Sequence, residues 1–227
     1  MRCARRVFCE IDEVLWWVAL KELDWQAPQG RVSGLRRPGD SPIMCQCVIR
    51  NPSFYSFLCQ IDHDHAATIR EQGCIGCAGP LHQANFERKP RGFIGCADPD
   101  TTRLSFCCGD CRLRCTPASV RFLGRRVYWG AIVILATALC CGLSLRRGQK
   151  LSQQLGVPAS TILRWRQWWL TQFTASAVWQ TLRGKLLPPI ADADLPGALL
   201  VRAGATDEAM GKVLGWIAPL STVTEVR

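Results

Sequence analysis

From Arg112 to Ala191 the sequence contains no aspartate and no glutamate, although the same stretch carries twelve lysines and arginines. A field of one sign that long is costly in self-repulsion unless a polyanion lies against it, so nucleic acid is the first partner to consider. The absence of acid is local. The formal charge of +10 comes from 28 basic and 18 acidic residues, and outside the acid-free stretch the two signs nearly cancel. Such a distribution favours a binding surface over a generally basic protein. No secretory leader is read at the start, because Glu10, Asp12 and Glu13 interrupt any apolar core between Met1 and Leu20. No internal repeat stands out. A nucleophile–base pair or a carboxylate cluster is also missing, which argues against an enzyme.

Cysteine, by contrast, is plentiful. Fourteen of them would suit a disulfide scaffold in a short secreted chain. Here they are uneven, with adjacent pairs at Cys107-Cys108 and Cys140-Cys141 and two Cys-x-x-Cys units. This pattern predicts reduced thiols in a cytoplasmic protein, four on a metal and most others as small buried hydrophobes. Cys74-x-x-Cys77 is followed by Gly79, and Cys108-x-x-Cys111 by basic residues. Each pair has the form of a knuckle that turns two thiolates toward one ion, and together Cys74, Cys77, Cys108 and Cys111 complete a tetrahedral Zn2+ site. In a segment this poor in apolar residues the metal would supply much of the folding energy. Other readings are incidental thiols, a redox Cys-x-x-Cys, or registers that bring in Cys107, Cys115, Cys96 or His82. Four thiolates leave no open position for catalysis. Asp62-His63-Asp64-His65 also suggests a metal, but side chains two apart on a helix diverge, and acids at a helix start account for the pattern.

Along the chain, residues 1–50 read as a poorly structured extension or a mis-assigned start, with the domain itself beginning near Met44. Residues 51–126 hold an N-terminal helix, recognisable over Asp62 to Gln72, and the loop-rich cysteine ribbon of short strands and turns. Ser119 to Leu123 alternates and predicts a strand. Residues 127–187 form a helical domain that ends at Pro188-Pro189 with a Trp-rich helix to about Trp179. Residues 188–227 form a C-terminal helical tail, with short patterns around Leu199 and from Asp207 to Ile217.

Gln149 to Trp165 reads as helix, tight turn, helix. Leu151, Leu155, Val157, Ile162 and Trp165 fall where two short helices pack on each other, with Ser152 at their closest approach. Gly156 permits the positive φ of a tight turn. Pro158 sits in the first turn of the second helix, where its missing N–H costs nothing, although no capping hydroxyl precedes it. The outer face of that helix offers Ala159, Ser160, Leu163, Arg164 and Gln167, of a size to reach base edges in a major groove. An ordinary helical hairpin with solvated charges is the plainer reading.

Val127 to Leu145 is free of charge and meets the length rule for a membrane span, with Tyr128-Trp129 at one end. A span would separate the cysteine knuckles from the helical pair. We therefore expect the buried first helix of a trihelical domain, with a homodimer face as a further role. A small single-span membrane protein with basic flanks is the alternative.

The order of parts resembles the N-terminal DNA-binding region of bacterial insertion-sequence transposases. The resemblance is carried by Cys74-x-x-Cys77, Phe106 to Thr116, the apolar helix, and Leu155-Gly156-Val157 through Arg164-Trp165. It implies a zinc ribbon followed by a helix-turn-helix that binds DNA. It stops at about residue 170, because too few residues and too few carboxylates follow for a catalytic domain with two metal ions. The expectation is thus a mainly α protein with a small β zinc ribbon and a trihelical helix-turn-helix, binding DNA (with RNA as the alternative) without catalysis. Ser160, Arg164 and Gln167 would read bases. Arg112, Arg114, Arg121, Arg125, Arg126, Thr161 and Arg166 would hold the backbone.

Overall fold

Asn51, Pro52 and Gly73 bracket the first helix. In the computed structural model, which describes residues 51–92, 100–124, 126–140, 145–204 and 208–222, helix α1 runs Pro52–Gln72. The expected extension over residues 1–50 lies outside that range. The Asn51 side chain accepts from Ser53 N at 3.0 Å, and proline fills the first turn, where no amide bond is lost. Gly73 ends the helix at φ +75°, with the carbonyl of Ala78 where a Cβ would press. Tyr55, Leu58, Ile61, Asp62 and Ala66 form the buried stripe at helical spacing. The helix starts ten residues before the stretch that sequence patterning picks out.

The β component is small and antiparallel. Strands β1 (Leu81–Gln83), β4 (Phe106–Cys108) and β5 (Arg114–Cys115) form one sheet in the order β1-β4-β5. Strands β2 (Phe86–Glu87) and β3 (Thr102–Arg103) pair beside it. Leu81, Leu104, Phe106, Cys74, Cys108 and Cys115 share a buried cluster with Ala66 of α1, and Ile69 packs against it. The sheet is therefore seated on the helix and holds apolar contacts of its own.

Ser119 to Leu123 is not the alternating strand that patterning predicts. All five residues are buried, and only Phe122 makes a bridge, to Trp129. The reason is local. Ser119 Oγ accepts from the amides of Arg121 and Phe122, which turns the backbone out of an extended course. Asp62 of α1 then takes the Ser119 hydroxyl at 2.6 Å, the Val120 amide at 2.7 Å and Arg121 Nε at 2.8 Å. This network joins the helix to a segment nearly sixty residues further on.

Helix α2 (Gly130–Cys140) is the hub of the helical part. Ala131 to Ala136 are at most 1% exposed. Its neighbours are α3 (Leu145–Leu155), α4 (Ala159–Trp168), α6 (Gly197–Ala203) and α7 (Glu208–Ile217). Gly130 is required there, because a Cβ would lie 2.9 Å from Leu214 Cδ2 and 3.3 Å from the Arg121 carbonyl. The described helix of eleven residues extends about 16 Å, against a hydrocarbon core of about 30 Å, and residues 141–144 of the candidate span lie outside the described residues. Among the described residues no helix is long and apolar enough to cross a membrane.

The Trp-rich segment is two helices rather than one. After α4 the chain makes a wide turn over Trp169–Phe173, then Ser176 caps α5 (Ala177–Lys185) by accepting from Trp179 N. Trp169, Phe173 and Trp179 form a buried aromatic chain, and Trp179 Nε1 donates to Asp192 at 3.0 Å. Beyond it, Leu195, Leu199 and Val213 are fully buried. The C-terminal helices thus belong to the core around α2, and Ser221 Oγ accepts from Ser119 N.

Candidate functional site

Each Cys-x-x-Cys unit folds the same way. Cys74 N donates to Gly79 O at 3.0 Å, and Cys108 N donates to Leu113 O at 2.9 Å, both across five residues. The residue after each second cysteine, Ala78 or Arg112, has positive φ (57° and 62°). Non-glycine residues seldom adopt that conformation without a tertiary reason. Here it closes two matching turns so that four sulfurs converge.

The Sγ atoms of Cys74, Cys77, Cys108 and Cys111 lie within 4.8 Å of one another, with Cys74–Cys111 at 3.5 Å and Cys77–Cys108 at 3.4 Å. Four thiolates about 2.3 Å from one ion in a tetrahedron would be about 3.8 Å apart, a spacing close to the two short separations and inside the bound on all of them, so the set fits a metal. Cys74 and Cys108 are buried against the sheet, whereas Cys77 and Cys111 face outward. The alternation of β4 decides between the adjacent cysteines. Cys108 points to the cluster, and Cys107 points away, its thiol near the Arg112 carbonyl at 3.6 Å. Cys115 lies in the apolar core, where burial pushes its thiol up. His82 is exposed and outside the set, and Cys96 lies outside the described residues.

The electrostatics suit a dication. The amide of Gly76, 3.4 Å from Cys74 Sγ, leads the contacts that hold that thiol at about 6. The Leu113 amide favours the Cys111 thiolate in the same way, but the neighbouring Cys77 and Cys74 outweigh it and push Cys111 up to about 12. One negative charge forms readily and further ones resist, which is the repulsion a bound cation removes. Glycines make room for the turns. A Cβ on Gly79 would lie 2.2 Å from Asp110 Oδ2 and 3.2 Å from Cys108 Sγ.

The second group of expected site residues lies on α3 and α4. Gly156, at φ +62°, makes the turn between them; across it Ser152 Oγ donates to the Val157 carbonyl at 2.6 Å and Val157 N donates to the Ser152 carbonyl at 3.0 Å. Thr161, Ile162 and Trp165 face the core, where Trp165 packs edge-on against Tyr128 at 4.9 Å. Ala159, Ser160, Leu163, Arg164 and Gln167 are exposed together on the other face. Leu163 is 66% exposed, so an apolar side chain stands in water among the polar ones.

The basic residues divide sharply. Arg112 is exposed at the tip of the second turn. Arg114 is exposed but tied to Ser105 Oγ and Ala84 O, with its guanidinium over Phe86. Arg126 lies 3.9 Å over the Trp168 ring, and burial lowers it to about 10, so it remains charged at neutral pH. Arg166 is half-buried, and Arg125 lies outside the described residues. Two expectations need correcting. Arg121, at 1% exposure, is bonded to Asp62 and to the carbonyls of Asp100 and Thr102, so it cannot reach a phosphate. Thr161 is buried too, and its Oγ1 accepts from Arg164 Nη2 at 3.1 Å.

No family model, curated protein or solved structure matches this chain.

Proposed function

We propose that this is a non-catalytic DNA-binding protein, in which a zinc ribbon supports a helix-turn-helix. The observation that carries this reading is the exposed face of α4. Ala159, Ser160, Leu163, Arg164 and Gln167 stand together on it, on a helix fixed by Ile162 and Trp165, in a stretch from Arg112 to Ala191 that holds no acid. Arginine and glutamine are the side chains that read guanine and adenine edges bidentately, and Leu163 with Ala159 supplies apolar contact of the kind a thymine methyl accepts. In this reading α4 is the recognition helix, α3 precedes it across the Gly156 turn, and α2 completes the trihelical unit.

Zn2+ is the metal we assign to the four cysteines, because an all-thiolate tetrahedral set suits a structural zinc. Reduced thiolates fit a cytoplasmic setting. The same order of parts underlies the resemblance to the DNA-binding region of insertion-sequence transposases, here without strand-cleavage chemistry.

The test is selection of bound sequences from a random DNA pool, followed by affinity measurements across salt. Arg164→Ala should relax preference at one base position and cost about 1–3 kcal/mol on the selected site. Arg112→Gln should weaken matched and scrambled DNA alike and reduce the salt slope by about one. Equal losses from both variants on both DNAs would sink the division of roles. Preference for single-stranded RNA over duplex DNA would reassign the partner.

A further inference from the structure

In sequence, His63 suggests His65 as a companion. On α1 its neighbour is instead Cys59, one helical turn earlier, where residues four apart share a face. Asp100 arrives from the segment before β3 and closes the set. The Cys59 thiol donates to Asp100 Oδ2 at 3.1 Å, and sulfur, imidazole nitrogen and carboxylate oxygen lie within 4.8 Å of one another. Cys59 is half-buried, while His63 and Asp100 are exposed, so the cluster opens to solvent on one side.

The carboxylate is held from behind. Asp100 Oδ1 accepts from Thr102 N at 2.8 Å, and buried Arg121 donates to Asp100 O at 2.7 Å while its Nη1 lies 3.1 Å from Oδ2. Contacts of this kind fix a carboxylate ligand in place and orient it toward an ion.

We propose that Cys59, His63 and Asp100 form a second metal site, separate from the four-cysteine centre, for a divalent ion of the zinc class. One sulfur, one nitrogen and one oxygen make a borderline donor set that suits Zn2+ and disfavours Mg2+ or Ca2+, which take oxygen ligands. Three protein ligands leave a fourth position to water or to a donor atom of a partner. Binding exchanges one proton for the ion: the Sγ–H bond shared with Asp100 is broken, the proton leaves to solvent, and a sulfur–metal bond forms. Burial, followed by the Asp100 contact, pushes the Cys59 thiol up to about 11, so that proton is in place at neutral pH. The proposal is independent of the DNA-binding reading and can fail without it.

The test uses the full chain, reduced, stripped of metal and titrated with Co2+. Thiolate-to-cobalt absorbance and metal content by native mass spectrometry are the readouts. Cys59→Ser and His63→Ala should each lose one ion equivalent, or weaken it at least about tenfold, while the absorbance of the four-thiolate centre persists. Cys77→Ser should do the reverse. Where Cys59→Ser fails to fold, His63→Ala and His63→Gln decide, since His63 is exposed. Metal content and affinity unchanged in the His63 variants would overturn the proposal.

Discussion

Replacing Arg121 with methionine separates a structural arginine from a DNA-contacting one. Arg121 and Asp62 are both 1% exposed, and Nε meets Oδ2 at 2.8 Å. The other guanidinium nitrogens donate to the carbonyls of Asp100 at 2.7 Å and Thr102 at 2.8 Å. Arg121→Met leaves the Asp62 charge buried with only the Ser119 hydroxyl and the Val120 amide, and it orphans the two carbonyls. Breaking a buried pair from one side costs about 3–5 kcal/mol, against a total domain stability of about 5–15 kcal/mol. Urea unfolding of the metal-loaded protein, followed by far-UV circular dichroism, should show a loss of that size. Asp62→Leu alone should lose as much. The double variant should recover at least about 2 kcal/mol of the summed loss, because neither charge is then stranded, and fall short of wild type by the unpaired carbonyls. DNA affinity should fall only in proportion to the folded fraction. A loss below about 1 kcal/mol in stability together with weaker DNA binding would refute the reasoning and return Arg121 to the phosphate contacts.

Two further substitutions test the turns. Gly79→Ala places a Cβ against Asp110 and Cys108 Sγ; zinc affinity, measured by competition with a chromophoric chelator, should drop at least about tenfold, and wild-type affinity would mean that the turn yields freely. Gly156→Ala forces φ +62° on a residue with a Cβ and should cost about 1 kcal/mol in urea unfolding; a change within about 0.3 kcal/mol would show that the turn between α3 and α4 relaxes to another shape.

The four-cysteine set was legible because its information is local. Two residues between cysteines are enough to close a turn, and the alternation of β4 then selects Cys108 over Cys107 without reference to anything distant. The α3–Gly156–α4 unit was legible for the same reason. Arg121 was not, since its partner Asp62 lies on another element and formal charge carries no record of burial. Ser119 to Leu123 alternates in sequence yet turns in space, because one hydroxyl competes with the extended backbone for two amides. The short C-terminal helices could be picked out by pattern, but their place against α2 depends on shape complementarity with a helix that is apolar on every side. Cys59 and His63 are a local pair that spacing alone could have flagged; Asp100, which completes the cluster, could not be placed by spacing.

That uncharged helix accounts for part of the acid-free stretch. Of its twelve cations, Arg121 is consumed by the core, Arg114 and Arg126 are braced against Phe86 and Trp168, and Arg183 and Lys185 close the last turn of α5, where a helix dipole favours them. Residues 131–136 need no counter-charge because helices cover them on all sides. Among the described side chains, Arg112 at the ribbon tip, Arg164 on the exposed face of α4, and Arg183 and Lys185 at the end of α5 stay exposed, while Arg125, Arg146, Arg147 and Lys150 lie outside the described side chains. The one-signed run therefore overstates the electrostatic footprint by the three arginines that the fold itself holds. If duplex DNA is the partner, Arg121, Arg114 and Arg126 should contribute little to the salt dependence, and the exposed side chains of α4 must supply most of the discrimination.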